Sequence, residues 1–168
     1  MAVAEGRNGQ ITVTYGSQST SVQQTVAEMG EWSVGGMSRN MIDYTAFGDA
    51  TAKFKPGMLD PGTVTFSGHY DGSDNEQKKL ITMLSSGGYL GSSGRAGKLS
   101  RMRLWANDDT SFESFGYWQM TTGSSGKLYV TSMETAQSKD GLATLSVTLK
   151  CSKSVLTWTT TKPANIHA

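Results

Sequence analysis

The stretch Ile42–Leu84, IDYTAFGDATAKFKPGMLDPGTVTFSGHYDGSDNEQKKLITML, runs from a polar-aromatic loop through a turn into an alternating strand and then a capped helix. After the Asp60-Pro61-Gly62 turn, Val64, Phe66 and Tyr70 fall on one face of a period-two pattern, with Thr63, Thr65, Ser67, His69 and Asp71 on the other. Such a strand has one face in a core and one in water. Ser73 with Glu76 three residues later matches the capping box, in which hydroxyl and carboxylate satisfy the free N–H groups of a helix start. Leu80, Met83 and Leu84 follow at helical spacing and Gly87-Gly88 supplies a stop, so one helix is expected over about 74–86.

Upstream of the turn the pattern fails. From Ser38 to Pro61 no apolar face persists, although Met41, Ile42, Tyr44, Phe47, Phe54 and Met58 stand among charges such as Lys55. A loop or irregular hairpin of that length is uncommon in a compact domain unless it has a task. Large apolar side chains argue against disorder, and a second chain is one place where they can be buried.

Working outward, Ile11 to Tyr15 alternates as a short strand. Ser21 to Met29 reads as a strand with Val22 and Val26 inward, or as a turn or two of helix. Trp32 and Val34 alternate with Glu31 and Ser33 until Gly35-Gly36 interrupt them, as at a bulge or bend. Beyond the helix, Gly87 to Gly97 is a Gly/Ser loop. Met102, Leu104 and Ala106 then alternate with Arg101, Arg103 and Trp105, and Phe112 to Thr121 is an aromatic-rich strand. LYVTSMETA and LATLSVTLKC pair as a long hairpin about Lys139-Asp140-Gly141, and Val155 to Thr160 adds one more strand. Residues 1–10 and 160–168 have no periodicity and read as arms on a single domain spanning 1–168. The fold class expected is mainly β, a sandwich or barrel with one flanking helix and a long central loop or hairpin over about 38–61.

Composition agrees with that class. With 168 residues the chain can bury a core unaided, and 20 glycines with crowded Ser and Thr suit short strands and turns. The formal charge of +1, from 15 basic and 14 acidic side chains, provides neither a basic footprint for nucleic acid nor a strongly acidic field. The N-terminus lacks a basic start followed by an apolar run, and no run of apolar residues is long enough to span a membrane, so neither a signal peptide nor a membrane anchor is expected.

No constellation of catalytic or ligating residues emerges. Cys151 is the single cysteine and sits in an alternating strand, the place of a small core residue. His69 and His167 are far apart, and no Cys or His cluster has zinc spacing. DGSDNE (71–76) starts like a calcium loop but lacks Gly at the sixth position and Glu at the twelfth, where Glu76 and Thr82 stand. GSSGRAGKL lacks the closing GK[ST] of a phosphate loop. No enzyme activity, metal or cofactor is expected.

The succession IDYTAFGDATAKFKPGMLDPGTVTFSGHYD followed by a capped helix resembles the major tail tube proteins of long non-contractile-tailed bacteriophages (the siphophage tail tube family). The resemblance implies a virion structural protein, made in the host cytoplasm, whose copies form hexameric rings that stack into a hollow conduit for DNA. It implies that the 38–61 segment, with Met41, Ile42, Tyr44, Phe47, Phe54, Lys55 and Met58, reaches the adjacent ring. The lumen would be lined by Glu31, Thr65, Ser67, Thr144, Ser146 and Thr148, past which DNA moves without specific binding, with Lys150 a possible exception on that face. Val64, Phe66, Leu145, Val147 and Leu149 would pack under Leu80 and Leu84. Tape measure, tail terminator and tail tip proteins are the further partners implied. Two other functions fit the same residues. One is a β-sandwich binding module in which Trp105, Tyr117 and Trp118 form an exposed platform for carbohydrate or protein. The other is the tube protein of a contractile injection machine.

Overall fold

A computed structural model describes residues 10–15, 22–26, 28–86, 89–91, 99–107, 116–121, 127–139, 141–153 and 156–161. Along the chain these form β1 (Gln10–Tyr15), β2 (Val22–Thr25), β3 (Met29–Gly35), β4 (Ser38–Asp43), β5 (Phe54–Asp60), β6 (Thr63–His69), α1 (Asn75–Ser86), β7 (Tyr89–Gly91), β8 (Leu99–Asn107), β9 (Gly116–Thr121), β10 (Lys127–Ala136), β11 (Thr144–Ser152) and β12 (Thr157–Thr159).

The two cleanest alternations lie side by side at the centre. β6 and β11 pair antiparallel, with Phe66 opposite Val147 and Val64 opposite Leu149, so both apolar sets point the same way. β3 extends this sheet on one side, β10 and then β7 on the other, in the order β3-β6-β11-β10-β7. A second sheet, β12-β9-β8-β1-β2, supplies the facing layer. Ile11, Val13, Met102 and Leu104 from the second sheet, Val64, Phe66, Leu128, Leu145, Val147 and Leu149 from the first, and Leu80 and Met83 of α1 make one buried cluster. The described residues form a β-sandwich of open sheets with one helix. Among the described strands β4 and β5 pair only with each other, as a separate two-stranded sheet.

The helix begins where expected, with a different cap. Asp74, one residue later than Ser73, accepts from the N–H groups of Glu76 (2.5 Å) and Gln77 (3.2 Å). Ser73 instead donates both its N–H (2.7 Å) and its hydroxyl (2.6 Å) to Asp71, closing an Asx turn before the helix. Gln77 is buried and ties the helix to the end of β6, donating to the His69 carbonyl (3.1 Å) and accepting from the Asp71 N–H (3.0 Å). Leu80 and Met83 turn inward, as read from the sequence. Leu84 does not: it is 38% exposed, because Met83 already fills the inward position on the last turn and leaves Leu84 at the rim. Tyr70, expected beside Val64 and Phe66, is 37% exposed. β6 stops at His69, the Tyr70 N–H bonds to the Ala143 carbonyl, and the alternation ends there.

Other expectations shift in detail. Val26 is buried beside strand β2, in favour of the strand reading of that segment. Gln10, placed in the N-terminal arm, opens β1 opposite Trp105. The Gly/Ser loop contains the three-residue strand β7, paired with β10. Trp105 and Tyr117 are 0% and 3% exposed, which removes two of the three rings of the proposed aromatic platform from any outward surface. Their rings pack tilted by 37° with centroids 4.4 Å apart, Arg103 lies over both, and the Trp105 indole donates to the Thr12 hydroxyl at 2.8 Å. Trp118, partly buried, meets Trp158 edge-on at 5.8 Å. The arm segments 1–9 and 162–168, residues 112–115 of the aromatic strand and Val155 lie outside the described residues.

Candidate assembly surfaces

Residues directly opposite on neighbouring strands share a face of a sheet, so the register assigns the outer face of the first sheet row by row. Glu31, Ser67, Ser146 and Glu134 lie abreast, followed by Ser33, Thr65, Thr148 and Ser132, then Gly35, Thr63, Lys150 and Tyr129; His69, Thr144 and Ala136 close the other end. The six residues nominated from sequence, Glu31, Thr65, Ser67, Thr144, Ser146 and Thr148, all fall on this face. Thr65 and Thr148 bring their hydroxyls to 3.5 Å across β6 and β11.

Sequence reasoning missed Ser132 and Glu134. The cause is a register shift between Val130 and Ser132, where Thr131 is an extra residue whose hydroxyl donates to the Thr148 carbonyl at 3.1 Å. That bulge breaks the period of LYVTSMETA, so no phase can be assigned to it by alternation alone. With Glu134 restored, a carboxylate stands at each side of a band of hydroxyls.

The basic groups of the face cluster at one end. Lys150 and Lys127 lie near the ends of β11 and β10 where β6 begins. The Lys150 ammonium is turned onto Asp60, at 2.7 and 3.0 Å from its two oxygens. Asp60 also accepts from the Gly62 N–H at 2.9 Å, and these contacts, Lys150 first, hold its carboxyl below the usual 3.8. The lysine singled out as an exception on a polar face is thus already engaged by an anion.

The same Asp60-Gly62 corner is the root of the β4–β5 hairpin. Gly62 has φ +84° and Gly36 φ +70°, and a Cβ on Gly62 would stand 2.9 Å from the Met37 nitrogen and closer still to the Gly35 carbonyl oxygen. The two crossing segments can approach so closely only without a side chain there. Along the hairpin the apolar groups face water: Met41 is 58% exposed, Met58 87% and Phe47 111%, with Ile42, Tyr44 and Phe54 also exposed. Lys55 is exposed as well, opposite Ile42.

The tip that carries Phe47 is nevertheless ordered by its own polar groups. Asp43 accepts from the Thr45 N–H (2.8 Å) and hydroxyl (2.6 Å), and the Thr45 oxygen accepts from the Lys53 N–H (2.8 Å). Asp49 accepts from the Ala46 N–H (2.7 Å) and the Lys53 ammonium. These bonds hold both carboxyls below the usual 3.8, the Thr45 hydroxyl weighing most at Asp43 and Lys53 at Asp49.

Two edges of the first sheet lack a partner among the described strands. β3 has a described partner on one side only. β7 covers only Lys127 to Tyr129 of β10, so no described strand pairs with the outer side of Val130 to Ala136. Such edges are aggregation hazards unless a neighbour pairs with them.

No site for covalent or metal chemistry is seen among these groups. Cys151 is buried in the core cluster, and burial pushes its thiol up to about 11. Among the described residues no three His, Cys, Asp or Glu side chains come together in a way that could hold a metal ion. Asp71, at the start of the calcium-like DGSDNE run, is used by Ser73.

No family model and no curated protein matches the chain in sequence. Solved structures do match in fold. A chain of the virion of the native gene transfer agent particle aligns with TM-score 0.56 at 13% identity, over 91% of this chain and 98% of its own. A chain of an extracellular contractile injection system, the PVC sheath/tube terminator in its extended state, aligns with TM-score 0.58 at 13% identity, over 94% and 96%. The SPP1 tail tube aligns with TM-score 0.54 at 12% identity, over 88% and 76%. The sandwich therefore shares its overall fold with chains of these tail and injection assemblies.

Proposed function

We propose that this chain is the structural subunit of a phage tail tube, assembling into hexameric rings that stack into a hollow conduit. The observation that carries the proposal is the β4–β5 hairpin, which stands apart from both sandwich sheets and exposes Met41, Phe47 and Met58 to water. A lone subunit gains nothing from that exposure, whereas a subunit built into a stack of rings buries it. A similar fold occurs in the tail of the empty gene transfer agent particle, whose C6 symmetry supports the ring number.

In this reading the outer face of β3, β6, β11 and β10 lines the lumen, and the open edges of β3 and β10 pair between neighbours so that the sheets join around the ring. Hydroxyls flanked by Glu31 and Glu134, with Lys150 held by Asp60, leave passing DNA few cations to hold it. Each Lys or Arg bound to phosphate would add a salt-dependent attraction. The role is structural rather than catalytic, the site of action is the virion, and a tape measure inside the tube and terminator and tip proteins at its ends complete the assembly. The likeness to the PVC sheath/tube terminator supports a second version, the tube of a contractile injection machine. It differs in requiring a sheath-binding outer surface.

Electron microscopy of the concentrated protein tests the proposal. Hollow tubes or stacked rings are expected, and a strictly monomeric protein under all assembly conditions overturns it. Deleting Tyr44 to Lys55 should leave a folded subunit that no longer stacks. Binding of purified sheath protein to the tubes selects the contractile version.

A further inference from the structure

The hairpin and an apolar groove lie at opposite ends of the same two strands. The groove, of about 410 Å³, runs between α1 and the ends of β10 and β11, and is lined by Tyr70, Ile81, Leu84, Met133 and Ala143 together with the polar Thr135 and Gln137. Tyr70 follows the last residue of β6 and Ala143 precedes the first of β11. The hairpin root lies at the other end, where Gly62 precedes β6 and its carbonyl accepts from the Cys151 N–H near the end of β11. With a rise of about 3.3 Å per residue, the two features are separated by roughly 20 Å of strand.

Ile81, Leu84 and Tyr70 are each more than a third exposed, although they sit together in a concave apolar surface. Leu84 and Tyr70 are also residues whose sequence pattern reads as core. The structure leaves the groove without an apolar occupant among the residues that line it. The hairpin of the same chain is not that occupant, since Phe47 is fully exposed and its root is fixed at the far end by the Gly62 contact and the Lys150–Asp60 pair.

We infer that the groove between α1 and the β10–β11 ends receives Phe47 from the hairpin tip of another copy of this chain. This inference rests on the stacked-ring reading and names the surface that the hairpin meets. The rigid tip suits such a role, because Asp43, Thr45, Asp49 and Lys53 fix the loop before contact and little conformational freedom is lost on docking. An aromatic side chain entering an apolar pocket is the usual form of an energetically dominant contact. Because knob and groove are different patches, each subunit can give one contact and receive one. That head-to-tail arrangement propagates without closing on a pair.

The test is a disulfide between copies. Cys151 is buried, so Phe47→Cys and Ile81→Cys introduced together supply the accessible thiols of known position. Oxidation of tubes grown at a protein concentration raised to offset the loss of the Phe47 ring should give a ladder of covalent multimers on a non-reducing gel. The crosslinked peptides should join the thiol introduced at position 47 to the one introduced at position 81, and neither single variant should give the ladder. Leu84→Gln and Phe47→Ala should each raise the protein concentration needed for tube growth by at least about tenfold, with rings still visible. Tubes that form normally without this crosslink overturn the inference and leave the tube reading standing, as does capture of the position-81 thiol by a different segment. Failure of the unmodified protein to form rings or tubes at all overturns both.

Discussion

Two hairpins of one chain treat their apolar residues in opposite ways. In β10–β11, Leu128, Leu145, Val147 and Leu149 are at most 1% exposed, and along β11 the positions between them turn away from the core. In β4–β5, Met41, Ile42, Phe54 and Met58 are all at least 46% exposed, and the pairing is broken by a register shift between Arg39 and Met41. Both are antiparallel pairs that carry large apolar side chains, so β-propensity alone does not separate them. The difference is periodicity: β11 alternates strictly and can lay one face on a core, whereas FKPGMLD places apolar side chains irregularly, with Pro56 and Gly57 in its middle. The first hairpin holds the subunit together. The second contributes little to that and is free to serve another chain.

The contrast can be broken most sharply in the core. Leu149→Ala should destabilise the unassembled subunit by about 2–5 kcal/mol in urea unfolding, the usual cost of emptying a fully buried leucine site; a loss below about 1 kcal/mol would show that the β10–β11 layer is not the stabilising one. Removing the cap in Asp74→Ala should cost about 1 kcal/mol, whereas Ser73→Ala should cost less, which sharpens the assignment of the helix start. On the exposed side, Phe47→Ala should leave subunit stability within about 0.5 kcal/mol while impairing assembly. A larger stability loss would place the hairpin among the folding elements.

The smallest effect concerns acid. Asp43 and Asp49 have folded-state pKa values below the unfolded 3.8, so their contribution to order at the tip is present above pH 3.8 and is lost as pH falls through the lowered values. Amide exchange at Thr45, Ala46 and Lys53 should therefore lose protection below pH 3.8 relative to that of β11; equal loss in both hairpins would deny the tip its separate network.

Much of the first sheet was legible because its strands obey one rule. TVTFSGH and TLSVTLKC each have one wet and one dry face, and that pattern alone puts Thr65 and Thr148 on one side and Phe66 and Val147 on the other. The second sheet was less legible. β8 buries Met102, Arg103, Leu104 and Trp105 in succession, so alternation carries no information about which face is covered. Arg103 is buried through its place over Trp105 and Tyr117 and its bond to Gln119, partners on two strands that only the fold brings together. Ser73 and Asp74 are both good capping residues, and only the competing bond to Asp71 decides between them. Glu134 was hidden by the bulge at Thr131. Phe47 and its neighbours were visible as a failure of pattern, which located the hairpin without giving its shape.

The placement of hairpin root and groove at opposite ends of β6 has a further consequence if copies engage through them: the resulting stack has a direction. One terminus presents unoccupied grooves and the other unoccupied Phe47 knobs, so the two ends are chemically unlike. A protein that starts the stack and one that finishes it then face different tasks, one imitating a knob and the other a groove. Growth can be stopped at one end without affecting the other.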